Sequence, residues 1–305
     1  MKASRMWSAG IGWATAVALT GLLGSACTDP EDATSRSGDV EERSAALTTK
    51  CSDPHDVRVT TGPTGRIEIS DFFVSGEFYL DDTILRTESC VAHLESPDEA
   101  LAQVGTLTVS SDLVGTLGGP PAPLVIGPDS RNDYVEFPDP PLFNYPDGTR
   151  VQIQLSGAPG FPPIHHRTVR SSPFGVIAFD QPQVPDTGVL SIDSTRAFAL
   201  AWTVPEGAKR APHQSIASSL FVLGPAAWGH IYCSWPLADG HGEIPVAMLR
   251  EFRARLGGTG ALDGAFDIFS GEFHELATAT SSYVILVGSD LPQTSISRST
   301  SALFE

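Results

Sequence analysis

Residues 151–155 read Val-Gln-Ile-Gln-Leu, and this stretch decides the fold class. Its apolar residues alternate with glutamines at a period of two, which is typical of a β-strand with one buried face. The Asp147-Gly148 dipeptide just before it predicts a turn. Similar short segments lie on both sides, separated by many of the 29 glycines and 24 prolines. The chain is therefore predicted to be all-β, with an antiparallel β-sandwich as its architecture.

One segment departs from this strand pattern, near residues 245–256. Pro245 suits the first turn of a helix, and Gly257 predicts its end. Four apolar residues fall on one helical face: Val246, Leu249, Phe252 and Leu256. One short helix is therefore expected beside the sheets.

The N-terminus has the features of an export signal. Lys2 and Arg5 precede an uncharged, weakly apolar run, and small residues precede Cys27. A basic start, an apolar run and small residues before the cleavage site are typical of a secretory signal peptide. A transmembrane helix is the alternative, but the abundance of Gly, Ala, Ser and Thr favours a cleaved leader over residues 1–26.

Residues 23–27, Leu-Gly-Ser-Ala-Cys, resemble the bacterial lipobox, in which small residues precede a cysteine that receives diacylglycerol. The resemblance implies that Cys27 is lipid-modified. Gly24 stands where leucine is usual, and together with Ala26 it also fits ordinary cleavage, so simple secretion stays open. Residues 27–50 are predicted to be the lipidated start and a disordered tether, because they contain too little apolar surface to offset chain entropy.

The charge balance restricts the partners. The chain has 19 basic and 36 acidic residues, a net charge of −17. A basic footprint for nucleic acid is absent, and a charged face for anionic lipid headgroups is equally unexpected. The predicted partners are the membrane, through the N-terminal lipid, and an envelope protein or glycan. Thr28 directly after the cysteine favours the outer membrane by analogy with enteric lipoprotein sorting.

Export permits disulfides. Three cysteines follow Cys27 in the chain: Cys51, Cys90 and Cys233. Three cysteines cannot all pair within one chain. Cys51 and Cys90 lie in the same N-terminal stretch and are the predicted disulfide pair. Cys233 alternates with apolar neighbours in a strand pattern, so it is expected to point into the core as a small apolar group.

The most distinctive loop is residues 239–243, Asp-Gly-His-Gly-Glu. Asp239, His241 and Glu243 alternate with glycines, which allow the backbone to approach a ligand closely. Carboxylates favour hard cations and histidine favours zinc, so these three residues are candidate metal ligands. An ordinary turn is the alternative, because Asp-Gly is a common turn dipeptide.

Catalytic signatures are missing from the sequence. It contains no Gly-x-Ser-x-Gly elbow, no phosphate-binding Gly-x-x-x-x-Gly-Lys loop and no Cys-x-x-Cys pair. No catalytic residue and no cofactor are predicted, and a non-enzymatic module for binding, adhesion or structure is favoured. An envelope hydrolase, metal-dependent or carbohydrate-active and using the Asp239–Glu243 loop, is the alternative.

Two segments carry resemblances to known families. Residues 190–205, with a strand ending in Ala-Trp-Thr-Val-Pro, resemble the central strand of fibronectin type III and related immunoglobulin-like sandwiches. Residues 231–249 are similar to a segment of uncharacterised envelope lipoproteins of the myxobacterial type. In both, a Cys-x-x-Pro strand is followed by a glycine turn, an Ile-Pro step and a short helix. The resemblance covers residues 105–288 and implies a β-sandwich in the envelope, without an activity.

These observations together predict the domain organisation. After the tether, the remaining chain is long enough for one large β domain or two smaller ones. The expected parts are a signal peptide (1–26), a lipidated start and tether (27–50), an N-terminal β-rich segment packed on the main body (51–104), a β-sandwich body (105–290) and a loose tail (291–305).

Overall fold

A computed structural model describes residues 56–69, 74–96, 100–111, 123–136, 150–169, 178–182, 188–204, 206, 215–289 and 299–305. The leader, Cys27, the tether and Cys51 lie outside these ranges, so the predictions made for them stay predictions. Of the helices in these ranges, none combines the length and the apolar character that crossing a membrane requires.

Strands dominate the described residues, as the alternating pattern predicts. In chain order they are β1 (Arg58–Ile69), β2 (Val74–Arg86), β3 (Cys90–Glu95), β4 (Leu107–Ser111), β5 (Leu124–Ile126), β6 (Tyr134–Glu136), β7 (Arg150–Leu155), β8 (Ile164–Val169), β9 (Phe179–Gln181), β10 (Val189–Ile192), β11 (Phe198–Trp202), β12 (Ser215–Leu223), β13 (Trp228–Pro236), β14 (His241–Ile244), β15 (Leu262–Ala277), β16 (Ser282–Ser289) and β17 (Ser299–Phe304). A short 3₁₀ helix (Leu237–Asp239) precedes β14, and the helix α1 (Val246–Leu256) follows it.

Seven strands of the largest described sheet pair in a closed ring. Their order is β15–β12–β13–β3–β2–β1–β16, and β16 pairs again with β15. The long strand β15 allows this closure, because its first part pairs with β12 and its second part with β16. Strands that pass from one layer to the next in this way form the corners of β-sandwiches. β17 and β10 extend the sheet beyond β15, and β6 pairs with β2.

Two further layers cover the ring from outside. The four-stranded sheet β5–β4–β7–β8 packs Ile153 and Leu155 against Ile67 and Ile285 of the ring. The three-stranded sheet β14–β11–β9 and α1 pack on the other side, around the disulfide described below. Face-to-face packing of sheets around apolar clusters confirms the predicted all-β sandwich. Two strand pairs, β1–β16 and β10–β17, are parallel, so the sheet is mixed and not purely antiparallel.

The predicted helix is confirmed as α1. Pro245 precedes its first residue, and the helix ends before Gly257. Leu249, Phe252 and Leu256 are buried as expected, while Met248 is buried and Val246 is only half-buried. The apolar face is thus rotated slightly from the predicted one, and its residues join the apolar cluster around the disulfide.

Two predicted boundaries differ from the structure. The strands β1, β2 and β3 lie between β16 and β13 in the ring, so this N-terminal segment is part of the main sheet and does not pack on it as a separate piece. In the predicted loose tail, Ser299–Phe304 forms β17 between β10 and β15. Ala302 and Phe304 are buried at alternating positions, which explains how a Ser/Thr-rich stretch stabilises a sheet.

The disulfide prediction is corrected by the sheet register. Cys90 on β3 is directly opposite Cys233 on β13, and the two form a disulfide with a Cα–Cα distance of 4.2 Å. A cysteine forms one disulfide, so the predicted Cys51–Cys90 pair is wrong. Nearness in sequence was misleading, because β13 becomes the neighbour of β3 only in the folded sheet. Cys233 is fully buried as expected, but as half of a disulfide.

Candidate functional site

The predicted metal loop does not assemble a metal site. Asp239 ends the 3₁₀ helix, and the exposed residues His241 and Glu243 lie on β14. The Nδ1–H of His241 donates to the backbone carbonyl of Asp239 at 2.8 Å. Across the described ranges, no group of three His, Cys, Asp or Glu side chains could hold a metal ion. The structure therefore does not bring Asp239, His241 and Glu243 together as ligands.

The glycines of this loop serve packing. Gly240 adopts φ 71°, a left-handed conformation that ends the 3₁₀ helix. A Cβ at Gly242 would lie 2.3 Å from a ring carbon of Trp235, so the indole occupies the space that a side chain would need. Nearby, the indole N–H of Trp202 donates to the carbonyl of Leu237 at 2.9 Å. Gly242 is therefore explained by its close packing against Trp235 and not by the approach of a ligand to the loop.

A Gly242→Ala substitution should therefore destabilise the protein. The added methyl group must displace the Trp235 ring in a packed core, and overpacking of this kind typically costs about 1–3 kcal/mol. Urea unfolding measures the effect. Gly127→Ala is the matched control, since a Cβ there meets nothing within 4 Å. Equal free energies of unfolding for the two variants would contradict this role for Gly242.

A cleft lies at one end of the four-stranded sheet, where β4, β7 and β8 run side by side. Its volume is about 430 Å³, within the range of roughly 300–1,000 Å³ typical of small-molecule sites. Arg150, Arg167, Ser110, Gln152 and Thr168 are among the residues that line it. Sequence reasoning identified the β7 strand but not the cleft, because neither arginine lies in a recognisable motif.

The strand register sets the geometry of this cleft. Ser110 is opposite Gln152, and Gln152 is opposite Arg167, so these three form one row across the sheet. Arg150 shares their face because it lies two residues before Gln152. Arg150 and Arg167 are diagonal neighbours on paired strands, a separation of about 7–8 Å that long side chains bridge. Both arginines are exposed.

The cleft wall is attached to the main sheet through histidine contacts. Thr168 Oγ1 lies 3.0 Å from Nε2 of His274 on β15. The His274 ring is also 4.5 Å from the ring of His166, while the adjacent His165 is exposed. The two neighbouring histidines thus point to opposite faces, as their strand predicts. These contacts fix the position of β8, which carries Arg167.

Two arginines elsewhere in this acidic chain are paired with acids. Arg86 Nε donates to Glu275 at 2.6 Å, and Arg255 donates to Glu251 at 2.7 Å. Such pairing is the usual arrangement for arginine, whose planar guanidinium matches a carboxylate. The two arginines of the cleft, Arg150 and Arg167, are exposed on a protein whose net charge is −17.

A second polar cluster lies inside the ring. His93 Nε2 is 3.0 Å from Ser282 Oγ, and the Ser282 hydroxyl donates to Glu275 Oε1 at 2.7 Å. Glu275 also accepts from Arg86. His93 is on β3 and Ser282 is on β16, which are not neighbours in the ring, so these side chains meet across its interior. Sequence analysis did not identify this cluster.

The inner cluster is not a catalytic centre, although it contains a serine and a histidine. Ser282 and His93 are 0% and 3% exposed, so substrate cannot reach them. The hydroxyl proton of Ser282 is directed to Glu275, whereas a nucleophilic serine needs its histidine to accept that proton. The network instead joins β2, β3, β15 and β16 with satisfied hydrogen bonds, which is what buried polar groups require.

Burial shifts the pKa of both histidines inside the ring. Desolvation, with a smaller contribution from Arg86, lowers the pKa of His93 to about 3. Burial also lowers the pKa of His230 well below its ordinary value, with Arg66 and His93 adding to the effect. The His230 ring is enclosed between Phe221 and Tyr232, at centroid distances of 4.7 and 5.3 Å. Both histidines are therefore neutral at neutral pH.

Comparison with known proteins leaves the family open. No family model matches the chain, and no curated protein matches its sequence. Among solved structures, the chain is similar to a 1.5-MDa bacterial ice-binding adhesin (11% identity, 75% of this chain and 66% of that one, TM-score 0.19). It is also similar to the FN1–FN3 domains of chicken CNTN1 (10% identity, 76% and 67%, TM-score 0.20).

A third similar structure is a tetra-tandem repeat from the extending region of a large adhesion protein (10% identity, 80% of this chain and 49% of that one, TM-score 0.19). The chain thus spans about half to two thirds of the length of these structures. With TM-scores of 0.20 or less, the similarities support no conclusion about this chain. Its own strand pairings define the class to which it belongs, an all-β sandwich protein.

Proposed function

We propose that this protein is an exported cell-envelope protein that is anchored in the outer membrane through a lipid on Cys27. There it acts as a non-enzymatic module for binding or adhesion. The observation that carries the proposal is the cleft at the end of the four-stranded sheet, whose lining includes Arg167, Gln152 and Ser110. The leader, the lipobox-like residues 23–27 and the polar tether support the location.

Two further observations support this proposal. The disulfide between Cys90 and Cys233 suits an oxidising compartment outside the cytoplasm. The resemblance of residues 231–249 supports membership of the myxobacterial type of envelope lipoprotein. The metal-dependent form of the hydrolase alternative requires Asp239, His241 and Glu243 to converge on a metal ion, and they do not. Among the described residues, the Ser282–His93 pair is shielded from substrate. A binding role is therefore favoured over catalysis.

The anchor is tested with a Cys27→Ala variant followed by membrane fractionation. Loss of the acyl chains removes an apolar contribution of roughly 0.8 kcal/mol for each buried CH₂, so the variant should leave the membrane fraction. Cys51→Ala is the matched control, because it removes a cysteine outside the lipobox-like residues. Retention of Cys27→Ala in the membrane to the same extent as wild type would show that lipid on Cys27 is not the anchor.

The binding role is tested on intact cells by crosslinking and mass spectrometry. The wild-type protein should form crosslinks to envelope components, and the Cys27→Ala variant should lose them because it leaves the membrane. Purified protein is assayed in parallel for hydrolysis of envelope glycans. Turnover of a glycan together with an absence of crosslinked partners would favour the hydrolase alternative and reject the proposed binding role.

A further inference from the structure

Resting on the proposed function, we infer that the cleft at the end of the four-stranded sheet binds a neutral saccharide, which Ser110, Gln152 and Arg167 recognise through hydrogen bonds. The inference adds a ligand class to the general binding role. Three further polar residues of the cleft wall interact with other groups of the protein: Ser111, Arg150 and Thr168. Recognition is therefore assigned to the first three side chains, which we call the polar row.

The strand register places the polar row on one face of the sheet. Ser110 on β4 is paired with Gln152 on β7, and Gln152 is paired with Arg167 on β8. Neighbouring strands are about 4.7–4.9 Å apart, so the row is about 10 Å long. Val151 and Ile153, the neighbours of Gln152 along β7, are buried on the opposite face. The row therefore presents a hydroxyl, an amide and a guanidinium at a fixed spacing.

The cleft shelters part of the polar row from water. Ser110 and Gln152 are half-buried, and Arg167 is exposed. The hydrogen bonds and ion pairs found within the described ranges involve none of these three side chains. Polar groups of this kind bind water when a site is empty, and a ligand that reproduces the hydrogen bonds of that water can replace it. The row is thus able to bind a polar ligand without breaking internal contacts.

The donors and acceptors of the polar row match the hydroxyl groups of a sugar. A serine hydroxyl and a glutamine amide each donate and accept hydrogen bonds, as does every sugar hydroxyl. The planar guanidinium fork of Arg167 donates to two adjacent oxygens, such as those of vicinal hydroxyls. A longer saccharide can continue over the next row of the same face, in which Gln154 is paired with Thr108 and His165.

The cleft fits three other ligand classes less well. Val151 is the one apolar side chain among the described lining residues, and it is buried, so an acyl chain or an apolar peptide finds little surface. A polyanion meets the repulsive field of a protein whose net charge is −17. The volume of about 430 Å³ is at the lower end of the usual range for small-molecule sites, and it accommodates one or two sugar rings.

Titration calorimetry of the full-length protein, in a detergent without sugar headgroups, tests the inference with two neutral trisaccharides, cellotriose and chitotriose. Trigalacturonate is the charged comparison. At least one neutral trisaccharide should bind, with nearly the same affinity between about 0.1 M and about 1 M salt, because no ion pair contributes. Gln152→Ala and Arg167→Gln should each weaken this binding about tenfold, since each removes hydrogen bonds of the polar row.

Gln103→Ala and Arg196→Gln are the matched controls for the two cleft variants. Both residues are exposed, and neither is among the described residues that line the cleft. The controls should bind the trisaccharide as wild type does. All four variants should keep the urea unfolding midpoint of wild type, which separates the loss of a ligand contact from the loss of the fold.

The inference holds if a neutral trisaccharide binds, both cleft variants weaken the binding, and the controls do not. Tighter binding of trigalacturonate than of either neutral trisaccharide would overturn the neutral class. Unchanged binding by both cleft variants would place the saccharide elsewhere and overturn the site. No binding of either neutral trisaccharide, while the wild-type protein still crosslinks to envelope components, would overturn this inference and leave the proposed function standing.

Discussion

Replacing Cys90 and Cys233 together by alanine is expected to lower the free energy of unfolding by about 2–5 kcal/mol. The disulfide closes a loop of 143 residues, and a crosslink across a long loop restricts the unfolded chain strongly. Both half-cystines also lie in the apolar cluster beneath α1, where Phe252 and Trp235 pack. The double variant therefore loses core contacts as well as the crosslink. Urea unfolding under oxidising conditions measures the change.

Cys51→Ala provides the control for this experiment. It removes the cysteine that sequence proximity assigned to Cys90, and it should leave the free energy of unfolding within about 0.5 kcal/mol of wild type. Reducing agent should destabilise wild type and Cys51→Ala equally, and should not affect the double variant. If Cys51→Ala were as destabilising as the double variant and Cys233→Ala were neutral, Cys90 would pair with Cys51 instead.

Acidification is expected to destabilise the protein, and the histidines inside the ring should cause much of the loss. The pKa of His93 is about 3 in the folded protein, against an ordinary value of 6.5. Below about pH 6.5 the unfolded chain binds a proton that the folded protein does not, so stability falls as pH decreases toward 3. His230 acts in the same direction. His93 contributes on the order of a few kcal/mol at the acidic end.

His93→Gln isolates this contribution, because glutamine removes the titrating group and can still donate a hydrogen bond to Ser282. The variant should lose less stability than wild type between about pH 7.5 and about pH 5 in urea unfolding. His241→Gln is the control, since His241 is exposed on β14. Glu77, whose pKa burial raises, works against the trend in every variant alike. Identical pH dependence in wild type and His93→Gln would refute the assignment.

The sequence contained enough information to predict the class of fold but not its topology. Alternation in residues 151–155 identified β7, and Pro245 with the apolar spacing identified α1, because both signals depend on local periodicity. The pairing of β1 with β16 is not local. No spacing in the chain specifies which strands meet, so the closed ring and the Cys90–Cys233 disulfide emerged only in the folded structure.

The candidate sites also depended on contacts that local sequence patterns do not predict. The Asp239–Glu243 loop looked like a ligand set because its glycines suggested close approach, but Gly242 accommodates Trp235. Arg66 and Glu68 alternate with isoleucines, the pattern of a strand with one solvated face. In the structure both side chains are only partly exposed, and they form an ion pair on β1, a strand of the ring. The arginines of the cleft come from two separate strands, β7 and β8. Only the pairing register of these strands places them at one cleft.

Closure of the strand ring has a consequence for how the chain acquires its structure. β2 pairs with one edge of β1, but Thr64 on the other edge pairs with Ser282, so this second edge finds its partner only after nearly all of the chain is present. Such high contact order predicts slow folding, on the order of milliseconds to seconds, since distant segments must meet before their contacts form. A nascent or translocating chain would expose this unpaired edge of β1 throughout that interval, and an exposed strand edge is a template for aggregation.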